Sequence, residues 1–160
     1  MRLLLLACLL VVVMFVGCCS NPPNLSSSVP GDLYVVYSYG ACHAEKGRTN
    51  FIIDAEGNGV YESGSGSLID DRFENERFRK TFKLDDSELL SMLNEIEASG
   101  FYSLENDYTD LDIYDGGCAH ISVTKENKTK TVSVSNTQAP GEYSKVADLI
   151  ARITEEKTSG

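Results

Sequence analysis

The sequence has no Gly-x-Ser-x-Gly elbow, no His-Glu-x-x-His pair and no phosphate-binding glycine loop. Serine-hydrolase, zinc-protease and phosphate-loop chemistries therefore have no signature in it. Cys-x-x-Cys and His-x-x-x-His spacings, the usual frames of a metal site, are also missing. Only His43 and His120 are present to serve as an imidazole base. Carboxylates abound, but their spacing singles out no acid and base pair. Basic residues are scarce: 14 Lys and Arg stand against 24 Asp and Glu, a formal net charge of −10. That balance argues against nucleic acid and against adhesion to anionic lipid, because both are negative. No internal repeat and no cofactor signature is found. The absences together read as a non-enzymatic chain.

What is present starts at the N-terminus. Met1-Arg2 supplies one positive charge, and Leu3 to Gly17 follow without any charge. This is the layout of a secretory signal. A permanent span needs ~20 apolar residues, and Pro22 and Pro23 stop a helix soon afterwards. Val16-Gly17-Cys18 resembles the lipobox of prokaryotic lipoproteins, departing from it at Phe15, where Leu is usual. The resemblance implies cleavage before Cys18 and lipidation of Cys18. Cys19 is a second candidate, and an uncleaved signal anchor is the alternative. Either reading puts the domain outside the cytoplasm, on the cell membrane or outer envelope surface. The expected division is a signal at 1–17, a Pro/Ser/Asn tether at 18–31, one domain at 32–156 and a frayed tail at 157–160.

The domain reads as strands, helix, two strands, helix. Leu33 to Tyr39 is β-branched and aromatic. Phe51-Ile52-Ile53 and Val60-Tyr61 flank a Gly/Asn/Asp turn and make a hairpin. That turn resembles half a calcium loop, but Ser65 stands where the bidentate Glu is required. Residues 64–67 (Gly-Ser-Gly-Ser) read as a flexible insert. Phe78, Phe82 and Leu84 share a face if the chain is extended there. Arg77, Arg79, Lys80 and Lys83 form the one basic cluster, read as a solvated strand edge that discourages aggregation. Asp85 and Glu88 form a capping box for a helix with Leu89, Met92, Leu93 and Ile96 inside. Gly100 suits its left-handed end. Alternation predicts strands around Ile121 and Val132, and Tyr143, Val146, Ala147, Ile150 and Ile153 line a last helix. The predicted fold is α+β: an antiparallel sheet of about five or six strands with two helices on one face.

Several pieces are similar to a family of small prokaryotic lipoproteins carrying a domain of unknown function. They are Cys42 after the first strand, Asp54, Gly57, Val60 and Tyr61 in the hairpin, Phe101, Tyr102, Leu104 and Tyr108 after the helix, and Lys130, Val132 and Pro140 at the end. The family often shows a Cys-Pro ending near the first strand; this chain has Ala41-Cys42-His43 instead. The resemblance implies a fold and no activity.

Two residue groups carry chemistry. Cys42 and Cys118 are even in number in an exported chain, which suggests a disulfide. The alternative is an envelope copper- or zinc-handling protein using Cys42, Cys118 and His120, since Cys118 and His120 share a strand face. Free thiols are the third possibility. The second group is the acidic loop Glu105, Asp107, Tyr108, Asp110, Asp112, Tyr114 and Asp115. A solvated acidic surface is its plain reading, and a patch for a cationic protein or other envelope partner is the functional one. The expected partners are thus the membrane, through the lipid on Cys18, and an envelope protein at this loop.

Overall fold

A computed structural model describes residues 25–42, 47–67, 72–113 and 116–159. Cys18, His43, Tyr114 and Asp115 lie outside them. The described elements are β1 (Tyr34–Ala41), β2 (Arg48–Asp54), β3 (Asn58–Ser67), β4 (Arg72–Lys83), α1 (Asp86–Ala98), β5 (Asp107–Thr109), β6 (Gly117–Lys125), β7 (Lys128–Ser135) and α2 (Gly141–Thr158). A single 3₁₀ turn at Phe101–Ser103 follows α1.

The fold is α+β, as the element pattern predicts, but the sheet is larger and mixed. Seven strands run in the order β4-β3-β2-β1-β6-β7-β5. The expectation of five or six antiparallel strands is corrected in two respects: one strand is longer and one is added. The Gly-Ser stretch at 64–67 continues β3 and pairs with β4 through two register shifts, because a small residue at a bulge costs little. Residues 107–109 add β5 parallel to β7, a pairing that local alternation does not announce. The polar end of the chain stays helical through Thr158. There Lys157 Nζ reaches Glu88 Oε1 at 2.6 Å and Lys80 Nζ bonds the Thr158 carbonyl. A cation at a helix C-terminus satisfies carbonyls the helix leaves unpaired.

Both helices pack on one sheet face. Register places Val35, Ile53 and Val123 in one cross-strand row and Tyr37, Phe51 and Ile121 in the next. Leu89, Met92, Leu93 and Ile96 of α1 and Val146, Ile150 and Ile153 of α2 close over these rows. The capping box forms: Asp85 Oδ1 accepts the Glu88 N–H at 2.9 Å, and Glu88 Oε2 accepts the Asp85 N–H at 3.0 Å. Gly100 stands at φ 88°, and Ile96 and Phe101 on either side of it are fully buried.

Cys42 and Cys118 form a disulfide that joins the end of β1 to the start of β6. The other end of the domain is held by polar contacts. Asp32 accepts the N–H groups of Glu126 and Asn127 at 2.8 and 2.6 Å, fixing a β6–β7 turn whose two residues both have positive φ. Ser26 gives its N–H and hydroxyl to the Glu97 carboxylate at 3.0 and 2.9 Å, and Lys125 binds the same carboxylate. The chain therefore enters the domain beside α1 and the β6–β7 turn, opposite the disulfide.

Candidate functional site: an aromatic cleft near the disulfide

On the helix-covered face, two cross-strand rows run out beyond the core toward the disulfide. One is Tyr37, Phe51, Tyr61 and Lys80; the other is Tyr39, Thr49, Ser63 and Phe78. Alternation at period two puts all of them on one side of the sheet. The last turns of α2 lean over the rows and leave a cleft of about 280 Å³, lined by Tyr37, Tyr39, Thr49, Tyr61, Thr154 and Thr158. Phe51 forms its buried floor. The Tyr37 and Tyr39 rings lie 5.2 Å apart, and Tyr61 meets Phe78 edge-on at 5.7 Å. Tyr39 and Phe78 are each 42% exposed, so the aromatic wall opens to solvent. A second hollow of about 410 Å³ shares Tyr37 and Tyr39 and continues past Gly40, Cys118 and Ser144.

Three phenols here, Tyr37, Tyr61 and Tyr143, are pushed above their ordinary range. Burial, with Tyr39 and Asp148 adding to it, pushes the Tyr37 hydroxyl up to about 12. Burial and the neighbouring Tyr39 also raise Tyr61, and burial raises Tyr143, which is 3% exposed. The Tyr143 hydroxyl is buried without a hydrogen-bond partner. Neutral phenols offer flat apolar faces with a hydroxyl at the tip.

The residues singled out from sequence are dispersed around this cleft. Cys118 and His120 do share a face, the one away from the helices, where His120 sits opposite Ser38. The disulfide uses both sulfurs, so a thiolate site at Cys42 and Cys118 requires reduction first. Among the described residues no three His, Cys, Asp or Glu side chains converge as metal ligands. On that same face Ser38, Arg48 and Asn50 are buried polar groups. The Ser38 hydroxyl and Arg48 Nε both donate to Asn50 Oδ1, at 2.6 and 2.8 Å, so the buried carbonyl oxygen is satisfied.

The acidic loop lies at the far sheet edge, beside β7. Glu105, Asp107 and Asp112 are exposed. Asp107 Oδ1 accepts the Thr109 hydroxyl and Asp110 Oδ1 the Asp112 N–H, so these carboxylates fold the loop on itself. Tyr108 packs against the core, and its hydroxyl accepts the Glu105 N–H at 3.0 Å. Leu111, 81% exposed, and Ile113, 46% exposed, form the loop's outward apolar tip. In the other acidic turn, Asp54 takes both the backbone and the side-chain N–H of Asn58 at 2.8 Å.

Sequence reasoning missed the cleft. Its signal was Tyr37 and Tyr39 two residues apart, with Tyr61 beyond the hairpin. Only the register aligns them. Compared with known proteins, the chain matches no family model and no curated protein.

Proposed function

We propose that the chain is a lipid-anchored, extracytoplasmic binding domain, non-enzymatic, held at the membrane through Cys18. Membership of the small lipoproteins that the motifs resemble belongs to the same reading. The single observation that carries it is the aromatic cleft: a concave, largely apolar surface with tyrosine and threonine hydroxyls and the Glu155 carboxylate at its rim. The Cys42–Cys118 disulfide supports the location, because such bonds persist in oxidising compartments. The acidic loop with Leu111 and Ile113 is a second contact surface in this reading, suited to a cationic envelope partner.

Geometry adds an orientation. Seven residues, Cys18 to Asn24, precede the first described residue, a reach of at most about 25 Å when extended. The chain enters beside the Glu97–Ser26 contact, and the cleft lies ~15–20 Å further along β1. In this reading the cleft lies at the end of the domain away from the tether. Membrane fractionation of a prokaryotic host expressing the full chain tests the anchor. Wild type should sediment with membranes, and Cys18→Ala should be released or remain as unprocessed precursor. Identical distribution and identical size of the two would sink the lipid reading.

A further inference from the structure

β4 is one edge of the sheet, and at 12 residues it is the longest strand among the described residues. No strand among the described residues pairs with its outer side. The Leu84 N–H bonds the Gly57 carbonyl at 2.9 Å, and this fixes which groups face outward. In an antiparallel ladder bonded pairs alternate with unbonded ones. Gly57 with Leu84, and Gly59 with Phe82, are the bonded pairs. The intervening residues, Arg79, Thr81 and Lys83, therefore turn their N–H and C=O groups to the free edge. Long free edges are a template for another chain.

Charge says which chain. Positions 77–83 hold Arg77, Arg79, Lys80 and Lys83 and no carboxylate, in a molecule whose net charge is −10; Glu74 and Glu76 stand earlier in β4, Arg79 lies 3.8 Å from Glu62 and Lys80 is tied to the Thr158 carbonyl. An acidic segment is repelled by the rest of the surface and attracted here. A second β4 edge is repelled by the same charges. On the helix side, exposed Phe78 contacts Tyr61, a wall of the cleft, and Lys80 lies 5.9 Å over the Phe78 ring. We propose that the outer edge of β4 binds an extended acidic segment of a partner protein as an added strand, with alternate side chains turned toward the Phe78–Tyr61 wall. In this mode main-chain bonds give affinity and the side pockets give selectivity. The inference deepens the binding-domain reading and rests on it.

The test uses the full-length chain in detergent and two labelled peptides, (Glu-Val)4 and (Lys-Val)4, read by fluorescence anisotropy. The acidic peptide should bind at least tenfold more tightly than the basic one, and weaken as salt rises. Thr81→Pro removes one outward N–H at an exposed edge position, where proline is tolerated. It should weaken acidic-peptide binding at least tenfold with the melting curve kept, while Thr81→Val keeps binding. Should the proline variant unfold, Arg79→Glu with Lys83→Glu gives the second readout: preference should switch to the basic peptide. Equal binding of both peptides, no binding of either, or full binding by folded Thr81→Pro would overturn the proposal. So would a peptide-free dimer in sedimentation that Thr81→Pro breaks, since a second copy would then own the edge. None of these outcomes bears on Cys18, so the anchor reading fails or stands separately.

Discussion

Glu97 is the residue on which the entry of the chain depends. Its carboxylate is 6% exposed and takes bonds from Ser26 and Lys125. Lys125 also lies 5.0 Å over the Tyr102 ring. Burial pushes the Glu97 pKa up, but the Lys125 and Ser26 bonds outweigh it and hold it below the ordinary 4.5. A carboxylate depressed in the folded state adds stability above its unfolded pKa and loses it as pH falls through the folded value. Glu97→Gln should therefore cost about 1–3 kcal/mol at neutral pH, the range for losing a charged hydrogen-bond partner. The gap between variant and wild type should close in acid below the ordinary Glu pKa. Urea titrations at several pH values check this; a gap that is constant or grows in acid would contradict it. Gly57 shows the same dependence on one position by sterics. Its φ is +80°, and a Cβ there would stand 2.2 Å from the Leu84 carbonyl oxygen. That oxygen belongs to the start of the α1 approach, so a glycine joins hairpin to helix.

At the scale of elements, the disulfide links β1 and β6, strands already paired along their whole length. Its contribution lies mainly in the unfolded chain. For a sequence separation of 76 the loop-entropy relation gives about 4.5 kcal/mol. Cys42→Ala with Cys118→Ala should lower unfolding free energy by roughly 3–5 kcal/mol and leave the far-ultraviolet spectrum native-like. A loss under 1 kcal/mol would mean the bond does not constrain the chain.

Elements with a short-range code were legible. The capping box of α1, the Asp54–Gly57 hairpin turn and the alternation around Ile121 and Val132 each follow from neighbours in sequence. β5 was not, because three residues carry no period and its parallel partner lies over twenty residues away. The Gly-Ser end of β3 misled, since glycine reads as a loop unless the bulge that uses it is known. The Cys42–Cys118 bond was one of three open readings. Pairing Gly40 with Cys118 in register is what brings the sulfurs together.

At the scale of the molecule, the two ends of the domain are built differently. The Glu97 and Asp32 contacts fix where the chain enters; the disulfide, the aromatic cleft and the exposed Leu111 and Ile113 lie away from them. No helix among the described residues is long and apolar enough to cross a membrane. Both cleft and loop were invisible as a layout in the sequence, because their separation depends on which strand ends meet. The acidic character of the loop was legible; that the loop lies across the sheet from the basic β4 edge was not.

The most direct test is intact mass of the full chain purified from membranes of a prokaryotic host, with and without reductant. The expected result is a polypeptide beginning at Cys18 with an acyl adduct on that residue, and a gain of two hydrogens on reduction from Cys42 and Cys118. An unmodified chain still beginning at Met1, with Cys42 and Cys118 already free, would contradict it.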